Sequence, residues 1–391
     1  MKMEPTGLEE ESIGLRASLA EPSPAPQPFI DLTFQTQAVL EPFLERIRRL
    51  AAVNQFVGGR AVEEFEEAFA LYCGTRFCVT LNSGTDALRL ALLAAGVSPE
   101  DEVITTPFTF IATVEAIGQT GRLVLADIDP DTFTLSPDAV ADKVTEQTRA
   151  IVPVHVFGQP APMPELIELS KRHGMAVVED ACQAHGASIS KQRAGSFGEA
   201  GAFSFYPSKN LGAFGDGGAV TTNDSRLAAR VRRLRNHGQV GHYQHVEEGC
   251  NSRLDAIQAV LLSLKLGYIE EWNRRRRRLA AVYREQLAGL PAVRFQAQKA
   301  GFDHAYYLLA GRVERRAGLA RYLRRLGIET KVIYPTPIHL LGACAHLGYR
   351  RGDFPNAEDV CSQVLCFPLY PGMTEDQAAA VAGAVRQFYV G

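Results

Sequence analysis

Short apolar runs recur along the chain from Phe29 onward, at Phe77–Thr80, Glu102–Thr105, Leu123–Asp127, Ala150–His155 and Ala176–Glu179. Each has the length and side-chain content of a β-strand, and the stretches between them, roughly 12–18 residues long, follow the helical period. Ser83 and Thr85 precede the periodic run Asp86–Ala95, while Met163-Pro164 opens a second run, Pro164–His173, that Gly174 ends. Both read as helices with start and stop signals. Strand–helix–strand repetition predicts an α/β layer fold around a mixed, mostly parallel sheet. Phe203–Tyr206 and Gly218–Thr222 read as two further strands joined by a polar, glycine-rich turn. Beyond Cys250 the pattern changes to one long helix, Arg253–Leu287, and then a mixed C-terminal portion. The expected organisation is a disordered extension over residues 1–28, a large α/β domain over 29–254, and a long helix with a small domain over 255–391. The extension is rich in Glu, Ser and Pro and has little apolar surface to pack.

Composition narrows the function classes. The 391 residues carry 41 Lys and Arg against 44 Asp and Glu, a net charge of −3, so no global basic field points to nucleic acid or an anionic membrane. No apolar run reaches the ~18–20 residues that span a bilayer. The seven cysteines form no C-x-x-C pair, which indicates neither a zinc site nor a disulfide framework. The N-terminus lacks the basic start and apolar stretch of a secretory signal, so a cytoplasmic protein is expected. Arg274–Arg278 is a run of five arginines. At about 100° per residue these go around the whole helix, and they read as a solvated surface rather than a basic face. His237, His242 and His245 lie in a glycine-bearing loop without an acidic partner, and no metal is expected there.

Other residues carry chemistry. The strand Ala176–Val178 runs into Glu179-Asp180. An acidic residue at the C-terminal end of a parallel strand faces the crevice where α/β sheets bind ligands. Lys209 stands in an apolar, aromatic and glycine-rich setting, Phe203–Gly218, where desolvation would favour the neutral amine of Schiff-base chemistry. The same composition also suits a surface lysine on a loop. Asn82–Leu88 is a hydroxyl- and glycine-bearing turn at a helix start, a nest for phosphate or an ordinary N-cap. Phe108 and Phe110 end a strand, in ring-stacking or core-packing roles. Taken together they match what pyridoxal phosphate needs: a lysine, a carboxylate for the pyridine nitrogen, a phosphate nest and a face to stack on.

From Phe29 onward the chain resembles the pyridoxal-phosphate-dependent nucleotide-sugar aminotransferases of the DegT/DnrJ/StrS type. The matching stretches are Pro28–Leu32, Ser83–Leu88, Asp101–Thr113, Val152–Pro160, Val178–Ala187, Gly201–Val220 and Asn251–Ala259, in that order. The resemblance implies the fold-type-I transferase fold, with a seven-stranded mixed sheet and a smaller C-terminal α/β domain. It implies pyridoxal 5'-phosphate, with pyridoxamine phosphate as intermediate, in a homodimer with shared active sites. Lys209 would be the Schiff-base lysine and proton shuttle, and Asp180 would keep the pyridine nitrogen protonated. Gln183 would sit near the ring's O3′, Phe110 would stack on the ring, and Ser204, Gly84 and Thr85 would hold the phosphate. Asn251 would reach the phosphate of the neighbouring subunit. Tyr334, His155 and Arg253 are candidates on the substrate side, while His185 is expected mainly to pack behind the site.

The implied reaction moves an amino group from an amino acid, L-glutamate, to a keto group on a nucleotide-linked hexose. The wording Gly84–Leu88 and Asn251–Asp255 resembles members acting on 3-keto more than 4-keto sugars, and 4-keto is the alternative. Dehydratases of the family carry a histidine where this chain has Lys209, which argues against that reading. A regulator of the same fold is disfavoured by the intact Lys209 and Asp180.

Overall fold

A computed structural model describes residues 26–391. Seven strands form the central sheet: β1 (Phe77–Leu81), β2 (Glu102–Thr105), β3 (Arg122–Leu125), β4 (Thr148–Ile151), β5 (Ala176–Asp180), β6 (Ala200–Ser204) and β7 (Gly218–Thr222). Their order is β1-β7-β6-β5-β4-β2-β3, and β7 runs against the other six. Alternation along each strand gives the sheet two buried faces. Val178, Ala202 and Val220 join one core with Leu88, Leu92 and Val231. Phe203 and Ala219 point the other way, into a core with Phe65, Phe69 and Leu262.

The helices that matter for the site are α1 (Thr33–Ala52), α2 (Arg60–Cys73), α3 (Gly84–Ala94), α4 (Ile111–Gly118) and α5 (Met163–His173). Ser83 caps α3, its Oγ accepting from Asp86 N at 3.2 Å. The 148–155 region is a shorter strand than its apolar content predicts. Pro153 has no N–H to give the ladder, so β4 stops at Ile151 and pairing resumes as a bridge between Val154 and Asp180.

The expected single helix over 253–287 is two, α6 (Ala256–Leu266) and α7 (Ile269–Gln286). The chain tightens between them, with Gly267 N and Tyr268 N each donating three residues back, to Leu264 O and Lys265 O. The first of the two, α6, packs on α1 and α2 beside the sheet. The C-terminal portion beyond it pairs α7 with a three-stranded antiparallel sheet and a terminal helix, Glu375–Val390. Residues 1–25 of the expected extension lie outside the described residues. Gln27, also assigned to it, belongs to the folded body: it is buried, bridges Ile328, and bonds Tyr370 OH.

The arginine run is mostly as expected at its ends, where Arg274 and Arg278 are exposed. Arg276 is the exception. It is 2% exposed and donates to the carbonyls of Tyr306, Tyr307 and Leu369. No helix among the described residues is long and apolar enough to cross a membrane.

Candidate active site

The C-terminal ends of the parallel strands open onto a cavity of about 590 Å³. Asp180 reaches it from the end of β5, Ser204 from the end of β6, and Gly84 and Thr85 from the start of α3. Lys209, Gln183, Phe110 and Tyr334 line it as well. Eight of the eleven residues singled out in the sequence therefore meet in one place.

The phosphate end is built by close packing. A Cβ placed on Gly84 would fall 2.6 Å from Ser204 Cβ and 2.9 Å from Cys182 Sγ. Only glycine lets α3 press this closely onto the ends of β5 and β6. The first N–H groups of a helix have no partner within it. Here Asp86 N goes to Ser83 Oγ and Ala87 N to Ser83 O. The N–H groups of Gly84 and Thr85 remain at the cavity, where the helix dipole favours an anion.

Asp180 is 6% exposed. Its Oδ2 accepts from Thr113 Oγ1 at 2.8 Å and its Oδ1 from Cys182 N at 3.2 Å. Thr113, on α4, is in turn 2.8 Å from Thr109 Oγ1. The carboxylate is thus aimed by two donors from opposite sides. Lys209 follows β6 on a turn held by Ala213 N donating to Phe205 O and by the buried Asn210 amide donating to Ala305 O and Asn273 Oδ1. The Lys209 ammonium lies 4.3 Å from the centre of the Tyr307 ring, a cation–π contact.

Gln183 is fixed at both ends. Its Oε1 accepts from Phe157 N at 2.7 Å, and its Nε2 donates to Tyr334 OH at 2.9 Å. It sits on a turn beyond β5 rather than on a helix. Burial raises the Tyr334 phenol well above its usual range, so it stays protonated. Phe110, 56% exposed, stands at the cavity with its ring nearly parallel to that of Tyr334, 6.4 Å away.

Three candidates are elsewhere. His155 is fully buried: its Nδ1 accepts from Ala161 N at 3.0 Å, so the neutral ring carries its proton on Nε2 and donates to Glu179 at 2.9 Å. The adjoining Glu179 carboxylate also accepts from the N–H groups of Gly195, Phe197 and Gly198. The pair staples that loop to β5, and His155 is not among the residues that line the cavity. Arg253 donates to Asn236 Oδ1 at 2.7 Å, outside this cavity. Asn251 is exposed, bridged to Asn236, and also outside it. His185 packs among Phe69, Phe203 and Phe205, and burial together with the nearby Lys209 charge pushes its pKa down to about 3. Among the described residues no group of three or more His, Cys, Asp or Glu is arranged to hold a metal ion.

Thr113, Tyr307 and Cys182 belong to the site without having been singled out. Thr113 lies within the matched stretch Asp101–Thr113 and Cys182 within Val178–Ala187, but nothing around Tyr307 in the sequence marks it.

A profile of the DegT/DnrJ/EryC1/StrS aminotransferase family matches residues 38–386. The chain is 43% identical to a dTDP-3-amino-3,4,6-trideoxy-alpha-D-glucose transaminase of Streptomyces venezuelae, over 92% of this chain and 96% of that one. It is 38% identical to a UDP-N-acetyl-3-dehydro-alpha-D-glucosamine 3-aminotransferase of Acidithiobacillus ferrooxidans, over 92% and 97% respectively. In structure it is similar to S. venezuelae DesV in complex with a ketimine intermediate. That match has a TM-score of 0.91 and 42% identity, and covers 94% of this chain and 99% of the other.

Proposed function

The chain belongs to the DegT/DnrJ/EryC1/StrS aminotransferase family, and we propose that it transfers an amino group from L-glutamate to a 3-keto nucleotide-linked hexose, using pyridoxal 5'-phosphate. The observation that carries this reading is the convergence of Lys209, Asp180 and the start of α3 on one cavity. Its donor set fits the cofactor. The Gly84 and Thr85 N–H groups and Ser204 would hold the phosphate, Asp180 the pyridine nitrogen, Phe110 a ring face, and Gln183 the ring's edge. When bound, the cofactor supplies an electrophilic carbon for amines and a ring that takes up electrons as a C–H proton leaves.

The protein's own residues do the rest. Lys209 takes the proton from the donor and later gives one to the sugar carbon, a single amine serving both halves of the exchange. Asp180 is held in place by Thr113 Oγ1 and Cys182 N, which donate to its two carboxylate oxygens. Phe110 and Tyr334 form an aromatic wall that limits water at the reacting carbon. Across the full cycle the amino group and one hydrogen of glutamate pass to the sugar carbon, the sugar's keto oxygen leaves as water, and a second water supplies the oxo oxygen of 2-oxoglutarate, so atoms balance. The 3-keto preference draws support from the two relatives, both described by amination at position 3.

The enzyme works as a homodimer in which Asn251 serves the partner's site. Asn251 is exposed and outside its own chain's cavity, and Phe34, Leu40 and Leu44 on α1 and nearby Phe214 leave large apolar side chains partly exposed for a second copy. The main test incubates purified protein, the cofactor and glutamate with 3-keto and 4-keto nucleotide sugars and reads products by mass. Amination of a 3-keto substrate is expected, and turnover of 4-keto sugars alone would overturn the position. Lys209→Ala should bind the cofactor without turnover. Mixing it with Asn251→Ala after reversible dissociation should give more activity than the mean of the two. No gain from an Asn251→Ala parent that is itself defective would refute the shared site.

A further inference from the structure

The buried member of the arginine run is placed where it can act on the catalytic lysine. Arg276 lies on α7, and among the described residues no carboxylate pairs with it. Burial pushes its pKa down to about 10, still far above neutrality, so the charge is kept. A buried charge of this kind costs more than an apolar side chain of the same volume. What it gains is a set of backbone carbonyls: Leu369 O at 3.0 Å, Tyr306 O at 3.3 Å and Tyr307 O at 3.4 Å, all from one nitrogen, Nη1.

Two of those carbonyls, of Tyr306 and Tyr307, belong to the turn that presents Tyr307, and the third, Leu369 O, ties the same nitrogen to the segment after the last strand, Val364–Phe367. Tyr306 sits at φ +48°, a left-handed conformation that costs a non-glycine residue free energy and persists only where its surroundings hold it. The next residue sets its ring 4.3 Å under the Lys209 ammonium, and its hydroxyl lies 3.3 Å from Ser208 Oγ. Asn273, one helical turn before Arg276 and on the same face, does the parallel job for the other side of the lysine. Its Oδ1 accepts from Asn210 Nδ2 and its Nδ2 donates to His185 O, each at 2.8 Å. Helix α7 therefore grips both the residue beside Lys209 and the ring beneath it.

We infer that Arg276 is a positioning residue for the Lys209 amine, acting through Tyr307. The inference rests on the reading of Lys209 as the cofactor lysine and proton shuttle. A cation is favoured over an aromatic face, so the ring 4.3 Å away sets where the Lys209 nitrogen stands. Loss of the Arg276 anchor lets the turn relax and the ring leave.

The experiment uses the full chain loaded with cofactor, without substrate. The pH midpoint of its visible absorbance band reads the protonation of the Lys209 nitrogen. In Arg276→Met this midpoint is expected to fall by about half a pH unit, the size of a lost cation–π contact. The kcat should fall by up to about 100-fold, the cost of a misplaced reacting group, with KM for the nucleotide sugar little changed. Tyr307→Leu should lower the midpoint equally, and adding Arg276→Met to it should lower it no further. Arg276→Lys keeps the charge but reaches fewer carbonyls, should give an intermediate shift, and carries the test if Arg276→Met does not fold. An unmoved midpoint with a lower melting temperature would reduce Arg276 to a structural role. Full additivity with Tyr307→Leu would break the link through Tyr307. Failure of the underlying reading looks different: borohydride would then fix the cofactor of the parent protein to a lysine other than Lys209.

Discussion

Replacing Gly84 by alanine adds one methyl group at the point where α3 meets the sheet. The new carbon would lie 2.6 Å from Ser204 Cβ, 2.9 Å from Cys182 Sγ and 3.1 Å from Ser204 Cα. Carbon atoms pack at about 3.5–4.0 Å, so the first gap is short by about 1 Å. Ser204 ends β6, which is paired on both sides, and its Cα has nowhere to go. The start of α3 must retreat instead, at a cost of about 1–3 kcal/mol in packing. The N–H groups of Gly84 and Thr85 retreat with it. A hydrogen bond to a charged group is worth about 1.5–3 kcal/mol, so losing one such bond to a phosphate weakens binding about 10- to 150-fold. The assay is equilibrium dialysis of pyridoxamine 5'-phosphate, which cannot bond covalently to Lys209 and so reports the non-covalent hold alone. Circular dichroism and a melting curve establish that Gly84→Ala is folded, a few degrees less stable than its parent. A folded variant that binds pyridoxamine 5'-phosphate within about twofold of the parent, under half a kcal/mol, would refute the placement of the phosphate at α3.

Asp180→Asn should fold normally and lose several orders of magnitude in turnover, because the amide cannot hold a proton on the pyridine nitrogen by opposite charge; near-parental kcat would show that another acid does this. Glu179→Gln turns one carboxylate oxygen toward two donors that it can no longer serve, whether His155 Nε2 and Gly195 N or Phe197 N and Gly198 N. Two orphaned buried groups cost about 2–6 kcal/mol, and an unchanged urea midpoint would contradict the stapling role. His185 titrates near 6.5 when unfolded and at about 3 when folded. Its neutral form is the one the fold accepts, so stability is complete above pH 6.5 and declines as pH falls toward 3, at up to about 1.4 kcal/mol per unit. His185→Phe should therefore lose about 2 kcal/mol less than the parent between pH 7 and pH 5, and parallel losses in the two proteins would refute this.

What could be read in the sequence is what local chain geometry decides. The strands at 77–81, 102–105 and 176–180 and the turn at Gly84 are written in consecutive residues, since apolar alternation, capping serines and strand-end acids act over a few positions. Where a distant contact decides, consecutive residues do not show it. His155 follows a strand end as a ligand would, but Ala161 N and Glu179 claim both its ring nitrogens. Gln27 has a proline-rich neighbourhood that suggests a loose tail, yet Gly327 O and Tyr370 OH receive it.

The arginine run shows where one further step of local reasoning was open. Angular spacing argues correctly that five successive arginines make no single basic face. It also requires that one of them point wherever the helix points its packed side. The phase of that side is set by the apolar residues around the run. Ile269, Trp272, Leu279, Ala280 and Tyr283 are all buried, at steps of three and four, and the series passes through position 276. An arginine on the buried stripe of an amphipathic helix is a costly choice. In this chain that cost falls on an arginine whose carbonyl partners include the residue bearing the ring beneath Lys209. The phase of the helix marks the residue from the sequence, while its purpose follows from the fold.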